Sequence, residues 1–424
     1  MDWLDLVTLP TRPIRASCRV PGSLGPVTRR GEEARPSDVG ATREGVRNVW
    51  EATKALYRTG LHPGIQICVR REGAVVLHGS LGHASGNGPG DPADGPKRVL
   101  DLDTPFCLYS ASKSMTAMVL HKLDEERVLH LDDRVCDYIP EFGVGSKQWI
   151  TIRHVIGHRA GIPTLPPGAL NLELLADPEQ IIQMLCEAPL LSRPGRRFAY
   201  HAVTGGFVLG EVVRRATGQD IRSVLHKQVV EPLGFRWMNY GVAPGDVDKV
   251  ADDAVTGLPI HRVMGPLVER VLGTTFEGAV ELAQDPRFRM GIVPAANVTS
   301  NDDELCAWYQ CMLDAGQLDG VRVYDPRTGR RATAEHSYYE LDMTLLMPLR
   351  HGLGFMLGGN WVSLWGRNTP RAFGHIGLSN ILSWADPDRR LAVAIMNSGK
   401  PTATPELLRL VQLISSIGEA FPPV

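Results

Sequence analysis

Residues 108–120 read "LYSASKSMTAMVL": three serines around one lysine. They open the run "SASKSMTAMVLHKLDEERV", whose apolar spacing predicts a single amphipathic helix. Ser110 and Lys113 have the spacing S-x-x-K. If the helix begins near Ser110, Lys113 lies almost a full turn on, on the same face. A serine hydroxyl is a weak nucleophile until a base takes its proton. A lysine is such a base when burial or a nearby cation lowers its pKa toward neutrality. The positive end of a helix dipole near Ser110 favours an oxyanion forming on an attacked carbonyl. Ser112 and Ser114 are each adjacent to Lys113 and point to other faces. Alone, the four-residue pattern does not separate a nucleophile from a helix cap, because serine is also a common N-cap.

The surrounding chain narrows the choice. It has 424 residues, enough for about two folding units. Hydrophobic residues make up 43% and charged residues 22%, with a net charge of -2. This balance suits a soluble globular protein and gives no general attraction for nucleic acid or an anionic membrane. The start, "MDWLDLVTLP", carries Asp2 and Asp5 inside its apolar stretch, so no secretory leader is expected. No apolar run approaches the roughly 20 residues of a membrane span. Seven cysteines without CxxC pairs read as buried reduced thiols in a cytoplasmic protein.

Residues 1–42, rich in Pro, Arg and Gly, are expected to form a loose arm or a strap over the surface. "ATREGVRNVWEATKALYRTG" predicts a helix whose apolar face Thr53 interrupts. In "GIQICVRREGAVVLHGSLGHA", two β-rich runs flank Glu72-Gly73, a hairpin signal. Helical patterns follow, including "TIRHVIGHRAG" from an N-cap at Thr151, and "AVTGGFVLGEVVRRATGQ". Residues 250–345 are mixed and suggest a flap. "RAFGHIG", "SNILSWAD" and "RLAVAIMNSG" read as short strands, and "PELLRLVQLISSIGEA" closes the chain as a helix. These elements imply an α+β fold whose sheet is built from both chain ends. Residues 43–105 and 345–424 form the sheet domain; 106–344 form a mainly helical inserted domain, with the site at their interface.

Two further stretches single out one serine. "PGRRFAYHAVTGGF" places Tyr200 at the entry to a helix, and "FGHIGLSNIL" places His375 and Gly377 on or beside a strand. With S-x-x-K, in this order, they resemble the serine β-lactamase and penicillin-binding-protein superfamily, and its esterase branch most closely, the family VIII carboxylesterases. "LHLDDRVCDYIPEF" and "ITIRHVIGHRAGI" resemble further segments of that family, over residues 43–418. The resemblance implies a β-lactamase/transpeptidase-like fold. It implies Ser110 as the acylated nucleophile, Lys113 as its partner, and Tyr200 as a base or proton relay held as phenolate by cations. His375 and Gly377 match the ends of the third motif. His375 would donate to Tyr200 or orient the leaving group. The N–H groups of Ser110 and Leu378 would form the oxyanion hole.

Two departures bear on substrate. Ala202 stands where the family often has the Asn of Y-x-N, and Ile376 where K-T-G has a hydroxyl. Both remove polar partners for a charged amide, and losing a hydrogen bond to a charged group costs about 1.5–3 kcal/mol. The expected activity is hydrolysis of short- to medium-chain carboxylic esters or lipid esters, with no metal or organic cofactor. The alternatives are a β-lactamase or D-alanyl-D-alanine peptidase, and a non-catalytic binding protein of the same fold. His201 reads as a surface residue or as a second polar group in the pocket. His154 and His158, four apart, read as structural because no HExxH glutamate or third ligand accompanies them. Trp361 and Trp365 either fill core or line the acyl pocket. "PPGALNLELL" is a candidate lip over the site.

Overall fold

The computed structural model describes residues 16–162, 164, 172–259, 265–378, 380–401 and 406–424, without the side chains of residues 266 and 267. Its centre is one antiparallel sheet. Four strands come from the front of the chain: β1 (Thr28–Arg30), β2 (Gly64–Arg71), β3 (Ala74–Ser85) and β4 (Arg98–Val99). Six come from its end: β5 (Ser337–Leu341), β6 (Pro348–His351), β7 (Met356–Leu357), β8 (Phe373–Gly377), β9 (Ile381–Asp386) and β10 (Leu391–Asn397). The order is β1-β3-β2-β10-β9-β8-β7-β6-β5, with β4 also on β3. The two ends of the chain meet where β10 pairs with β2, from Leu391 opposite Arg71 to Asn397 opposite Ile65. The predicted hairpin turn is present: Glu72 (φ 54°) and Gly73 (φ 85°) both take the left-handed conformation of a type I′ turn.

Strand alternation divides the core into two layers. Ile65, Ile67 and Val69 of β2, with Val393 and Ile395 of β10, point to one side, where helices α1 (Arg43–Tyr57) and α9 (Glu406–Ala420) pack together. Cys68, Ala392, Ala394 and Met396 point to the other, onto α2 (Ser112–Glu125) and α8 (Asp302–Leu313). Thr53 joins the buried face of α1 instead of interrupting it, because its hydroxyl donates to Val49 O at 2.9 Å. Residues 16–42 are a strap. β1 extends the sheet edge, and Leu24, Val27 and Val39 are buried.

The helix read from Thr151 is shorter than its pattern. α3 (Ile152–Ile156) starts at the expected cap, where Thr151 Oγ1 accepts from His154 N at 3.2 Å. It stops at Gly157, since His158 takes a left-handed φ of 57°. α4 (Thr204–Thr217) runs as expected to Gly218. In the mixed region, α5 (Gly265–Leu272), α6 (Phe276–Gln284) and α7 (Pro286–Met290) contribute walls to the main pocket.

Candidate active site

Ser110 is not in α2 but in the 3-10 turn Tyr109–Ala111 that leads into it. Tyr109 holds φ 47°, a costly conformation for a bulky residue, and its hydroxyl donates to Asp253 Oδ2 at 2.6 Å. This anchored turn leaves Ser110 half-buried at a pocket, while Ser112 and Ser114 are fully buried. Ser112 Oγ accepts a hydrogen bond from Val298 N at 2.9 Å.

Lys113 Nζ lies 3.1 Å from Ser110 Oγ, 2.8 Å from Ala202 O and 3.0 Å from Ala295 O. Burial lowers its pKa from 10.5 to about 7. A neutral amine has two N–H groups and one lone pair. The two carbonyls accept both N–H groups, so the lone pair faces the Ser110 hydroxyl. The Tyr200 side chain lines the same pocket as Ser110, whose hydroxyl draws its pKa slightly down. Burial holds this phenol well above its ordinary pKa, so at neutral pH it carries its proton. The Lys113 nitrogen sits 4.8 Å from the centre of the Tyr200 ring. Asp342 Oδ1 fixes the backbone here by accepting from Tyr200 N (3.1 Å), Thr344 N (2.7 Å) and Leu345 N (2.9 Å).

Strand β8 presents its residues to two different spaces. Ile376, Gly377 and Leu378 line the main pocket beside Ser110, Tyr200 and Ala202. His375 is fully buried and borders a cavity of about 20 Å³ behind Lys113. Its Nδ1 pairs with Ile376 O at 2.8 Å, and its Nε2 has no protein partner. Gly377 cannot carry a side chain at this position, since a Cβ would meet Leu108 O at 2.3 Å. The absence of that atom brings β8 against the loop that carries the serine.

His201 is 1% exposed, which rules out a surface position. It borders the small cavity rather than the main pocket, because adjacent residues of the extended segment face opposite ways. Its N–H donates to His158 Nδ1 at 3.1 Å. Burial lowers His201 to about 3 and His351 to about 4, and holds His158 and His375 well below 6.5. Three neutral histidines, His158, His201 and His375, therefore line the cavity behind Lys113, which is about half neutral at pH 7, and a fourth, His351, packs on His158. His154 accepts from Thr151 N, and among the described residues no cluster of His, Cys, Asp or Glu is arranged to hold a metal.

The main pocket has a volume of about 450 Å³. Its walls include Phe207, Val271, Phe276, Phe288, Leu345 and Leu378, and none of its described lining residues is charged. Leu172 and Leu175 line it too, whereas residues 166–171 of the candidate lip lie outside the described part. Neither tryptophan reaches it. Trp365 is core, stacked on Trp384 at 5.6 Å, and Trp361 is 86% exposed. Sequence reasoning missed Ala295 and Asp342. The first acts through a carbonyl, which any residue supplies; the second lies in a stretch without a motif.

Comparison with known proteins identifies the family. The family model described as "Beta-lactamase" matches residues 53–414. "Esterase/beta-lactamase LipL" of Mycobacterium tuberculosis is 30% identical over 312 residues, 70% of either chain. The crystal structure of a family VIII carboxylesterase superposes with TM-score 0.75 at 25% identity, covering 88% of this chain and 97% of that one. A penicillin-binding-protein homologue from Caulobacter crescentus gives TM-score 0.75 at 26% identity, covering 90% and 99%. The chain belongs to the β-lactamase family and has its α+β, transpeptidase-like fold.

Proposed function

We propose that this member of the β-lactamase family is a serine hydrolase that cleaves uncharged carboxylic esters of short to medium acyl length, through an acyl-enzyme on Ser110. The observation that carries the reading is the pocket of about 450 Å³ that opens on Ser110 with no charged side chain among its described lining. Such a lining favours an apolar acyl group and gives a carboxylate no partner. The similarity to LipL and to a family VIII carboxylesterase supports the same class.

Neutral Lys113 takes the proton of the Ser110 hydroxyl as its oxygen attacks the ester carbonyl. The N–H groups of Ser110 and Leu378 receive the oxyanion. Tyr200, protonated, gives its proton to the departing alkoxide, and the proton on Lys113 then restores the phenol. This differs from a phenolate base, because burial keeps the Tyr200 phenol protonated at neutral pH. Water enters by the same route in reverse and releases the acid. His375 and His201 act from behind, as neutral rings beside Lys113.

A β-lactamase or D-alanyl peptidase is the second reading, favoured by the likeness to the penicillin-binding-protein homologue. Its substrates bring a carboxylate to a pocket without a described cation. The cytoplasm is the proposed compartment, in keeping with seven free cysteines. Among the described residues no helix is long and apolar enough to cross a membrane.

A panel of 4-nitrophenyl esters graded by acyl length, run beside nitrocefin, tests the proposal. Ester turnover well above nitrocefin turnover is expected. The reverse order would install the second reading, and a folded protein inert to both would be a binding protein of the same fold.

A further inference from the structure

The hairpin β5–β6 is built as two surfaces. At its turn, Thr344 and Leu345 line the substrate pocket. Leu341, Met343, Leu346 and Met347, the residues around them, are each between 42% and 55% exposed. Leu346 is held at the tip by a left-handed φ of 55° and by its N–H bond to Asp342 O at 2.8 Å. The patch continues sideways. Tyr339 reaches the backbone at Gly359, next to the loop that exposes Trp361 and Val362 at 86% and 68%. Exposed apolar surface of this kind, gathered at the mouth of a pocket, marks an interaction site.

The ionisable groups on the hairpin are already engaged. Glu340 pairs with Arg159, and Arg350 pairs with Glu335 while its guanidinium donates to Pro370 O at 3.3 Å. Asp342 is buried, with Oδ1 accepting three backbone N–H groups. Among the described residues, the hairpin itself therefore offers no spare cation for an anionic membrane. Pairing with a second copy through the edge of β5 is also disfavoured. The register with β6 shifts between Ser337 and Glu340, and Tyr339 leaves the strand conformation with φ 47°, so the edge is not a regular ladder.

We propose that this hairpin tip, together with Trp361 and Val362, seats the protein on an aggregate of uncharged lipid ester, the surface of an emulsion droplet. The ester then passes along Thr344 and Leu345 into the pocket and reaches Ser110 without crossing water. The inference rests on the ester reading of the pocket, and it names the physical state of the substrate. A side chain inserted into the apolar layer gains the transfer energy that it lacks in water.

The test is flotation of Ser110→Ala protein with triolein droplets coated in phosphatidylcholine, so that binding is read without turnover. Leu346→Glu/Met347→Glu and, separately, Trp361→Ser are made on the same background. The parent is expected to float with the droplets, and the double variant to lose about tenfold or more in partitioning. In the active background, both variants should keep kcat/KM for dissolved 4-nitrophenyl butyrate within about twofold, which also reports that they fold. A parent that stays in the aqueous phase, or variants that float as well as the parent, overturns the proposal. A dimer in sedimentation that Leu346→Glu/Met347→Glu dissolves would assign the patch to a second copy and overturn it as well. If dissolved esters are not cleaved by the active protein, the ester reading fails, whereas flotation still judges the surface by itself.

Discussion

Acidification below pH 7 should switch the reaction off through Lys113 alone. The fall of its pKa from 10.5 to about 7 corresponds to about 5 kcal/mol of preference for the neutral amine, at 1.36 kcal/mol per pH unit. Above pH 7 the lone pair faces Ser110; below it, a proton occupies that position. The competent fraction is then about one half at pH 7, about a tenth at pH 6 and about a hundredth at pH 5. The surrounding groups do not produce such a limb. His201 and His351 titrate at about 3 and about 4, His158 and His375 lie well below 6.5, and Tyr200 lies far above neutrality. The assay is kcat/KM for 4-nitrophenyl butyrate between pH 5 and 9. It should fall about tenfold per unit below 7 and be level above it. Lys113→Arg, whose guanidinium stays protonated throughout, should lie at least about a hundredfold lower across the range, with no recovery at pH 9. A level profile down to pH 5, or a rate still climbing at pH 9 as for an ordinary lysine, would refute the reasoning.

The same proton links Lys113 to stability. The unfolded chain holds it until about pH 10.5 and the folded chain only until about 7, so stability rises with pH between those values and its cost is fullest below 7. Lys113→Met should thus gain about 2–3 kcal/mol more, relative to wild type, at pH 6 than at pH 9 in urea unfolding, on top of any pH-independent loss from its hydrogen bonds. Gly377→Ala, with a Cβ driven toward Leu108 O, should push β8 off the nucleophile's turn and lower kcat/KM by roughly a hundredfold while the fold persists, as checked by circular dichroism. Asp342→Ala leaves the N–H groups of Tyr200, Thr344 and Leu345 without their acceptor. It should cost about 2–4 kcal/mol in urea unfolding and lower kcat by freeing Tyr200.

What could be read in advance followed from local rules. Strand alternation, the Glu72-Gly73 turn and the Thr151 cap are written in a few adjacent residues, and each has its expected form. The spacing of Ser110 and Lys113 carried their contact, because a turn and the start of a helix fix it almost regardless of the rest. Other features depend on distant packing. His201 reads as polar and exposed until the fold buries it beside His158. α3 ends early because His158 turns left-handed, which no periodicity records. The charge state of Lys113 follows from its burial, and its orientation from the carbonyls of Ala202 and Ala295, far apart in the chain and chemically silent in a sequence. Thr53 and Trp361 depart for the same reason: burial belongs to the surface that a neighbour covers, not to the residue type.

The central claim is that Ser110 is the nucleophile. Treatment with a fluorophosphonate probe at pH 8, followed by peptide mapping, tests it directly. The label is expected on Ser110, in step with loss of ester hydrolysis, and is expected to be absent from Ser110→Ala. A label on Ser112 or Ser114, or ester turnover that survives Ser110→Ala, would contradict the account.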